Sequence, residues 1–343
     1  MKALLREARW VGVTIVLLAA ALTLGTLALK QSPVEVFRLI ASQVLFDGYG
    51  LGQTLYKATM LIFTGLACSL AFRCGLFNIG AEGQLYAGAF AMTLVGLRYP
   101  GLPSIVLIPL MLATAAAGGA AWAVVPAILK AKRGAHEVIT TMMMNFVAMA
   151  LANYLISAHF HEPETIHTAE LPAAAGLPSF ETMFGLFKGS PVNASLLLAF
   201  LLAAALAYFL WRTPAGFEWR AVGASPDAAR TSGVKVEATT IKILLASGAV
   251  AGLAGSNFVL GYKHYFEQGF ASGAGFLGIA VALVAKNNPI GVIPSALLFA
   301  FLSQAGLTLN RTIPREMFEI LQAAAILIVV ISQGYFGREA AKK

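Results

Sequence analysis

Asn78, Glu82 and Gln84 stand close together in a stretch from Phe72 to Phe90 that is punctuated by Gly75, Gly80, Gly83 and Gly88 and bounded by apolar runs. Two amides and a carboxylate in such a setting can hydrogen-bond a neutral polar solute, bind a cation, pass a proton along or tie helices together. An acidic side chain at the centre of a membrane helix costs roughly 2.5 to 3.5 kcal/mol on insertion scales, so it faces a protein interior or a water-filled path. The island therefore reads as one wall of a pathway. Phe77, Gly80 and Gly83 shape the break around Glu82, whose carboxylate is expected to accept nearby backbone hydrogen bonds or to pair with Arg73.

Few other residues suggest chemistry. The chain has no paired carboxylates, no nucleophile with a base at workable spacing and no intramembrane His cluster, so no catalytic residue is assigned. His159, His161, Glu162, Glu164 and His167 lack a compact ligand spacing, and no metal site is expected. Cys68 and Cys74 belong to no redox or metal pattern and read as buried small hydrophobes.

The elements that must position the island are membrane helices. Hydrophobic residues make up 58% of the 343 and charged residues 12%, against about 25% charged in soluble domains; mean hydropathy is +0.77. A hydrocarbon core of about 30 Å needs around 20 apolar residues per helix, which leaves room for roughly eight to ten spans in one membrane domain. The net charge of +8 follows from positive loops on the cytoplasmic side rather than from nucleic-acid binding.

The apolar periodicity predicts an all-α polytopic protein with spans at 10–29, 55–72, 84–97, 103–129, 138–158, 192–211, 243–261, 273–285, 289–309 and 317–332, and a cytoplasmic loop at 212–242. The first run is longer than a signal-peptide core and is read as a retained helix. Under this topology sixteen of the 24 Lys and Arg fall on the side of the amino terminus, which puts both termini in the cytoplasm. Spans 84–97 and 273–285 are short and glycine-rich, so either can be a broken or re-entrant segment.

A faint repeat supports two halves. Gly65 to Ser69, followed by the glycine-rich island, recurs as Gly252 to Ser256 followed by Gly269 to Gly278. A displacement of five spans inverts the topology, an arrangement that builds sites at the midplane between halves. The small residues on these spans are explained by close helix packing.

The loop after the sixth span carries a short capped helix. Ser225 suits the N-cap, Pro226 the first helical position, Asp227 the positive end of the dipole and Gly233 a left-handed stop. So short a helix is marginal alone and calls for a partner surface.

These residues carry a resemblance. Gly223-Ala224-Ser225-Pro226-Asp227-Ala228-Ala229-Arg230, closing at Gly233, is similar to the Gly-x-x-x-x-Ala-Ala-x-x-x-Gly coupling segment of importer-type ATP-binding-cassette permeases, in the family that carries simple sugars and nucleosides. Leu76 to Gln84 resembles the Phe-Asn-Ile-Gly-x-Glu-Gly-Gln signature of its nucleoside-type branch. Glu137 to Asn145 resembles that branch's Asn-Glu-Val-Ile-x-Thr-x-Met-x-Asn, with His136 in place of the first Asn.

The resemblance implies a multi-pass permease subunit of the bacterial plasma (inner) membrane. Its partners would be a second related permease, ATPase subunits that bind ATP and Mg, and an extracytoplasmic substrate-binding protein; Arg230 becomes an ATPase contact. No phosphate-loop motif occurs in this sequence, and no cofactor is expected in it. Neutral polyols call for amides, hydroxyls and aromatic faces, and Asn78, Gln84, Tyr86, Asn145 and Asn257 fit that inventory, with interhelical hydrogen bonding as the other reading of each. The expected function is nucleoside import by alternating access driven by the ATPases. Import of a simple sugar or riboflavin is the alternative, and ion-coupled secondary transport is a further one.

Overall fold

In the computed structural model, residues 30–310 are described without a break, together with 16, 19–27, 314, 316–320, 322–324 and 326–327. The expected spans 10–29 and 317–332 lie partly outside the described residues. Among the described residues the regular structure is helical, with only isolated bridges such as His161 to Thr168.

The chain divides into two compact units, one formed by residues 1–54 and 297–343, the other by Leu55–Ala296. In the first, helix α1 (Pro33–Ile40) has Pro33 in its first turn and Ser32 as N-cap, whose Oγ accepts from the Glu35 amide at 3.5 Å. A π turn follows at Ala41–Leu45. Val36, Ile40, Ala305, Leu309 and Phe318 form the apolar core of this unit. Helix α2 (Gly48–Arg73) starts beside Asp47, whose Oδ2 accepts from the Gly50 amide at 2.8 Å, and it continues into the second unit.

The second unit holds helices α3 (Ala81–Arg98), α4 (Ser104–Arg133), α5 (Glu137–Leu155), α6 (Phe180–Phe184), α7 (Ser195–Arg212), α8 (Pro214–Ala224), α9 (Pro226–Thr231), α10 (Val236–Leu253), α11 (Ser256–Val259) and α12 (Ala274–Val284), and α13 (Pro289–Thr308) begins there. Helices α3, α4 and α10 approach to backbone contact. A Cβ on Gly248 would lie 2.5 Å from the Gly119 carbonyl oxygen, and one on Gly88 2.7 Å from that of Ala115. Small residues permit this approach, and dispersion between the closely packed backbones holds the helices without a hydrophobic drive from lipid.

Six described helices are long and apolar enough to cross a membrane: Gly48–Arg73, Ser104–Arg133, Glu137–Phe160, Ser195–Arg212, Val236–Val259 and Pro289–Thr308. The most apolar window of the first is 78% buried and that of the second 22%, which separates a central helix from a peripheral one. Of the expected spans that lie wholly within the described residues, the two expected to be short, 84–97 and 273–285, are the ones that fall outside this set. Helix α12 has 11 residues, about 16 Å at 1.5 Å per residue, roughly half the hydrocarbon thickness.

The loop at 159–191, which carries His159, His161, Glu162, Glu164 and His167, is pinned to residues 260–268. The Thr168 amide donates to the Phe266 carbonyl at 2.9 Å, Leu171 to His264 at 2.7 Å and Leu177 to Leu260 at 2.8 Å. Among the described residues no group of three or more His, Cys, Asp and Glu is placed to hold a metal ion. Cys68 and Cys74 are both buried free thiols.

Candidate functional site

The glycine-rich lead-in to α3 is held by three neighbouring helices. Asn78 is fully buried: its Nδ2 donates to Gln84 Oε1 at 2.8 Å and to Ser247 Oγ of α10 at 2.7 Å. Its Oδ1 accepts from the Gly80 amide at 2.9 Å and from Gln84 Nε2 at 3.1 Å. The two amides thus pair face to face, and Ser247 passes the chain on by donating to the Ala67 carbonyl of α2 at 2.7 Å. Asn78 has no hydrogen-bonding capacity left over.

From the other side α5 presents a polar face. Glu137, Thr141 and Asn145, spaced four apart, lie on one side of the helix and are buried, with Ala148 and Ala152 continuing the stripe. Glu137 Oε1 accepts from the Phe77 amide at 3.4 Å and Thr141 Oγ1 from the Ile79 amide at 3.2 Å. Asn145 Oδ1 accepts from the Gly83 amide and its Nδ2 donates to the Ile79 carbonyl, both at 2.8 Å. Glu137 is also paired with Lys130 of α4 at 2.8 Å. The opposite face, with Ile139, Met142, Met143, Phe146 and Val147, is exposed. The second motif is therefore the clasp of the first. Gly83 must be glycine for the clasp to close, since a Cβ there would lie 2.9 Å from Asn145 Cα.

Glu82 does not pair with Arg73, which stacks on Trp211 instead. Its carboxylate accepts from the amides of Gly273 at 3.0 Å and Gly275 at 2.5 Å, at the start of α12. Glu82 also occupies the first turn of α3, so one negative charge faces the positive ends of two helices. Thr64 of α2 donates to the Ala274 carbonyl at 3.0 Å, and a Cβ on Gly278 would lie 2.6 Å from Thr64 Oγ1. The half-length helix is thus anchored at its start.

The remaining pathway candidates stand apart. Asn257 is fully buried in a second polar cluster: its Oδ1 accepts from Asn193 Nδ2 at 3.2 Å and Ser195 Oγ at 3.0 Å, and its Nδ2 donates to the Tyr56 carbonyl at 3.0 Å. Tyr86 is buried among aromatic rings, 5.1 Å from Phe270 and 6.0 Å from Phe266. Phe77 is half exposed and packs on Phe72 at 5.0 Å. Ser247, Asn193, Ser195 and Lys130 are partners that sequence reasoning did not single out. The polar Ser247 inside an apolar, small-residue helix was the available signal.

At the far end of α7 the chain turns through two capped helices. Thr213 Oγ1 accepts from the Gly216 amide at 3.1 Å, with Pro214 opening α8, a helix the sequence reading missed although Thr-Pro announces it. Ser225 is extended and its Oγ accepts from the Ala228 amide at 3.3 Å, with Pro226 opening α9, as expected. Gly233 takes φ +88 beyond its end. Ala229 is buried, whereas Asp227 and Arg230 are exposed and 3.4 Å apart. Gly223 lies on the backbone of Cys74 and Gly75, where a Cβ would be 2.7 Å from the Gly75 nitrogen.

Comparison with known proteins completes the assignment. The chain is 36% identical over 323 residues to a guanosine ABC transporter permease protein of Bacillus subtilis, covering 93% of this chain and 92% of that one. It is 35% identical over 340 residues to a glucose ABC transporter permease protein of Haloferax volcanii, covering 94% and 87%, and 33% identical over 312 residues to a nucleoside ABC transporter permease protein of Lactococcus lactis, covering 89% and 85%. The family described as the branched-chain amino acid transport system permease component matches residues 50–330, and with its membrane-length helices, its clasped polar turn and its capped segment at Gly223–Gly233, the chain belongs to that family of multi-pass membrane permeases.

Proposed function

We propose that this permease subunit imports nucleosides by alternating access, driven by ATPase subunits that dock on α9. The observation that carries the reading is the backbone contact between Gly223 and Gly75. It joins the capped segment directly to the loop that leads through Phe77 and Asn78 into the clasped turn. Displacement of α8 and α9 therefore bears on that turn without an intervening flexible side chain. The names of the guanosine and nucleoside permeases support the substrate class.

The fuller arrangement proposed is ten spans in two inverted halves, both termini cytoplasmic, in a bacterial plasma membrane. A second permease, two ATPases holding ATP and Mg, and an extracytoplasmic binding protein complete the transporter. The two glycine-rich lead-ins of the sequence repeat, into α3 and α12, meet at Glu82, which supports a midplane site between halves. Because their hydrogen bonds are all directed inward, Asn78, Gln84, Asn145 and Asn257 are proposed to hold the pathway wall in shape, and Glu82 to fix its break.

The second reading, a simple sugar, is favoured by the glucose permease relative. Reconstitution with the partner subunits separates the two: ATP turnover and uptake are measured with guanosine, adenosine, glucose and riboflavin. Stimulation by nucleosides alone is expected, and stimulation by glucose alone overturns the assignment. Uptake that survives ATP depletion and is abolished by an ionophore would make the protein an ion-coupled carrier instead.

A further inference from the structure

We propose that Arg73, Trp211 and Arg220 form a binding site for the phosphate of an anionic phospholipid. Arg73 closes α2, Trp211 stands one residue before the end of α7, and α8 turns back so that Arg220 Nε donates to the Leu210 carbonyl at 2.9 Å. The guanidinium carbons of Arg73 and Arg220 lie 4.6 Å and 4.4 Å from the centroid of the same indole. Three elements thus bring two like charges onto one ring.

No carboxylate of the described chain answers them. Lys130 is paired with Glu137 and Arg230 with Asp227, whereas neither Arg73 nor Arg220 is in such a pair among the described residues. The ring meets the guanidinium groups face-on and the Nε bond to Leu210 fixes the plane of Arg220, so its Nη groups and the fork of Arg73 are the planar donors that match phosphate oxygens. The charge that would answer them lies outside the described residues, and a bound anion supplies it in this proposal.

Position identifies its source. The pair lies at the ends of two membrane-length helices, directly over the apolar cluster that includes Leu70, Ala71, Cys74 and Leu210. Tryptophan at a span end is characteristic of headgroup depth, and basic pockets between helices at that depth take anionic headgroups. Leu197, Leu201 and Tyr208 are exposed along α7 towards Trp211 and offer an apolar track for an acyl chain. The segment proposed to meet the ATPase is different in kind, carrying the solvent-exposed Asp227 and Arg230. The inference rests on the membrane assignment and is independent of which solute is carried.

The test uses the purified full-length permease and native mass spectrometry with phosphatidylglycerol and phosphatidylcholine. The wild type is expected to retain phosphatidylglycerol preferentially, and Arg73→Gln with Arg220→Gln to weaken that retention about tenfold or more. A control that removes the exposed charges Lys132 and Arg133 by Lys→Gln and Arg→Gln should leave it unchanged. Should the first variant fail to fold, the wild type in nanodiscs is expected to melt several degrees higher, roughly, in phosphatidylglycerol than in phosphatidylcholine, by ligand linkage. Equal retention of the two lipids, equal loss in the control variant, or equal melting in both nanodiscs overturns the proposal. Displacement of the lipid by inorganic phosphate alone would make the ligand a free ion. Loss of ATPase co-purification with lipid retention intact would assign the surface to the partner protein.

Discussion

Gly75 and Gly223 meet backbone against backbone, at a separation that leaves no room for a side chain on either. A Cβ on Gly75 would lie 2.7 Å from Gly223 Cα, and Gly75 has φ +75. The obstructing atoms are backbone, so no rotamer change relieves the clash. Gly223 opens the Gly-x-x-x-x-Ala-Ala-x-x-x-Gly pattern and Gly75 opens the loop into the polar turn, so the contact joins the two features that sequence reading treated separately.

Gly223→Ala should therefore both loosen the fold and uncouple it. Overpacking of this kind costs about 1–3 kcal/mol, read as a lower thermal midpoint, and ligand-stimulated ATP hydrolysis in the assembled transporter should fall further than the midpoint shift explains. Gly101→Ala, where a Cβ meets nothing within 4 Å, is the neutral comparison. Full stimulation in Gly223→Ala would show that the contact transmits nothing.

Asn145 tests the clasp. Asn145→Ala removes the acceptor of the Gly83 amide and the donor to the Ile79 carbonyl, leaving buried groups unmet at about 1–3 kcal/mol each. The expected outcome is a lower unfolding midpoint even without any solute. A variant with unchanged stability and reduced solute affinity would return Asn145 to the role of a ligand contact.

Much of this arrangement was legible in the sequence because it depends on local chemistry. Ser225, Pro226 and Gly233 specify the bounds of α9 by capping and backbone preference alone, and the Asn78-to-Gln84 island marks a broken helix by composition. What was not legible depends on pairing at long range. Glu82 was expected to find a partner close in sequence, but its bonds go to Gly273 and Gly275, and nothing local names those amides. The inventory of amides was chosen by type for contacting a polar solute; in the structure Asn78, Gln84 and Asn145 direct their bonds to one another, to Ser247 and to the backbone. Tyr86 and Asn257 lie in separate clusters, which residue type cannot reveal. The number of spans is harder still. Apolar composition alone does not show that α12 is only 11 residues long or that Glu82 and Thr64 hold its start.

The exposed pair on α9 should separate docking from folding. Arg230→Glu places two acids side by side on a surface that is solvent-exposed in this chain, so its stability effect should be small. Insertion and the thermal midpoint should be retained while solute-stimulated ATP turnover with the partner subunits is lost. Ser225→Ala should instead weaken the helix itself by about 0.5–2 kcal/mol, detectable as faster amide exchange at Ala228. Normal turnover in Arg230→Glu would remove α9 from the proposed ATPase contact.

Glu82→Gln distinguishes the structural carboxylate from an ion-coupling one. The wild-type side chain offers two acceptor oxygens to two amides, whereas glutamine keeps one oxygen and turns a donor toward the other amide. It also removes the negative charge from the first turns of α3 and α12. One unmet buried donor costs about 1–3 kcal/mol, so the variant should melt lower and show faster amide exchange at Gly273 or Gly275. If the charge only caps α12, whatever protein assembles should still drive solute uptake by ATP, insensitive to ionophores. If Glu82 binds a coupling ion, stability should change little, and transport should lose its dependence on the gradient. The combination of intact melting with lost ion dependence would overturn the capping role, because a carboxylate that anchors a half-length helix cannot be neutralised without loosening it.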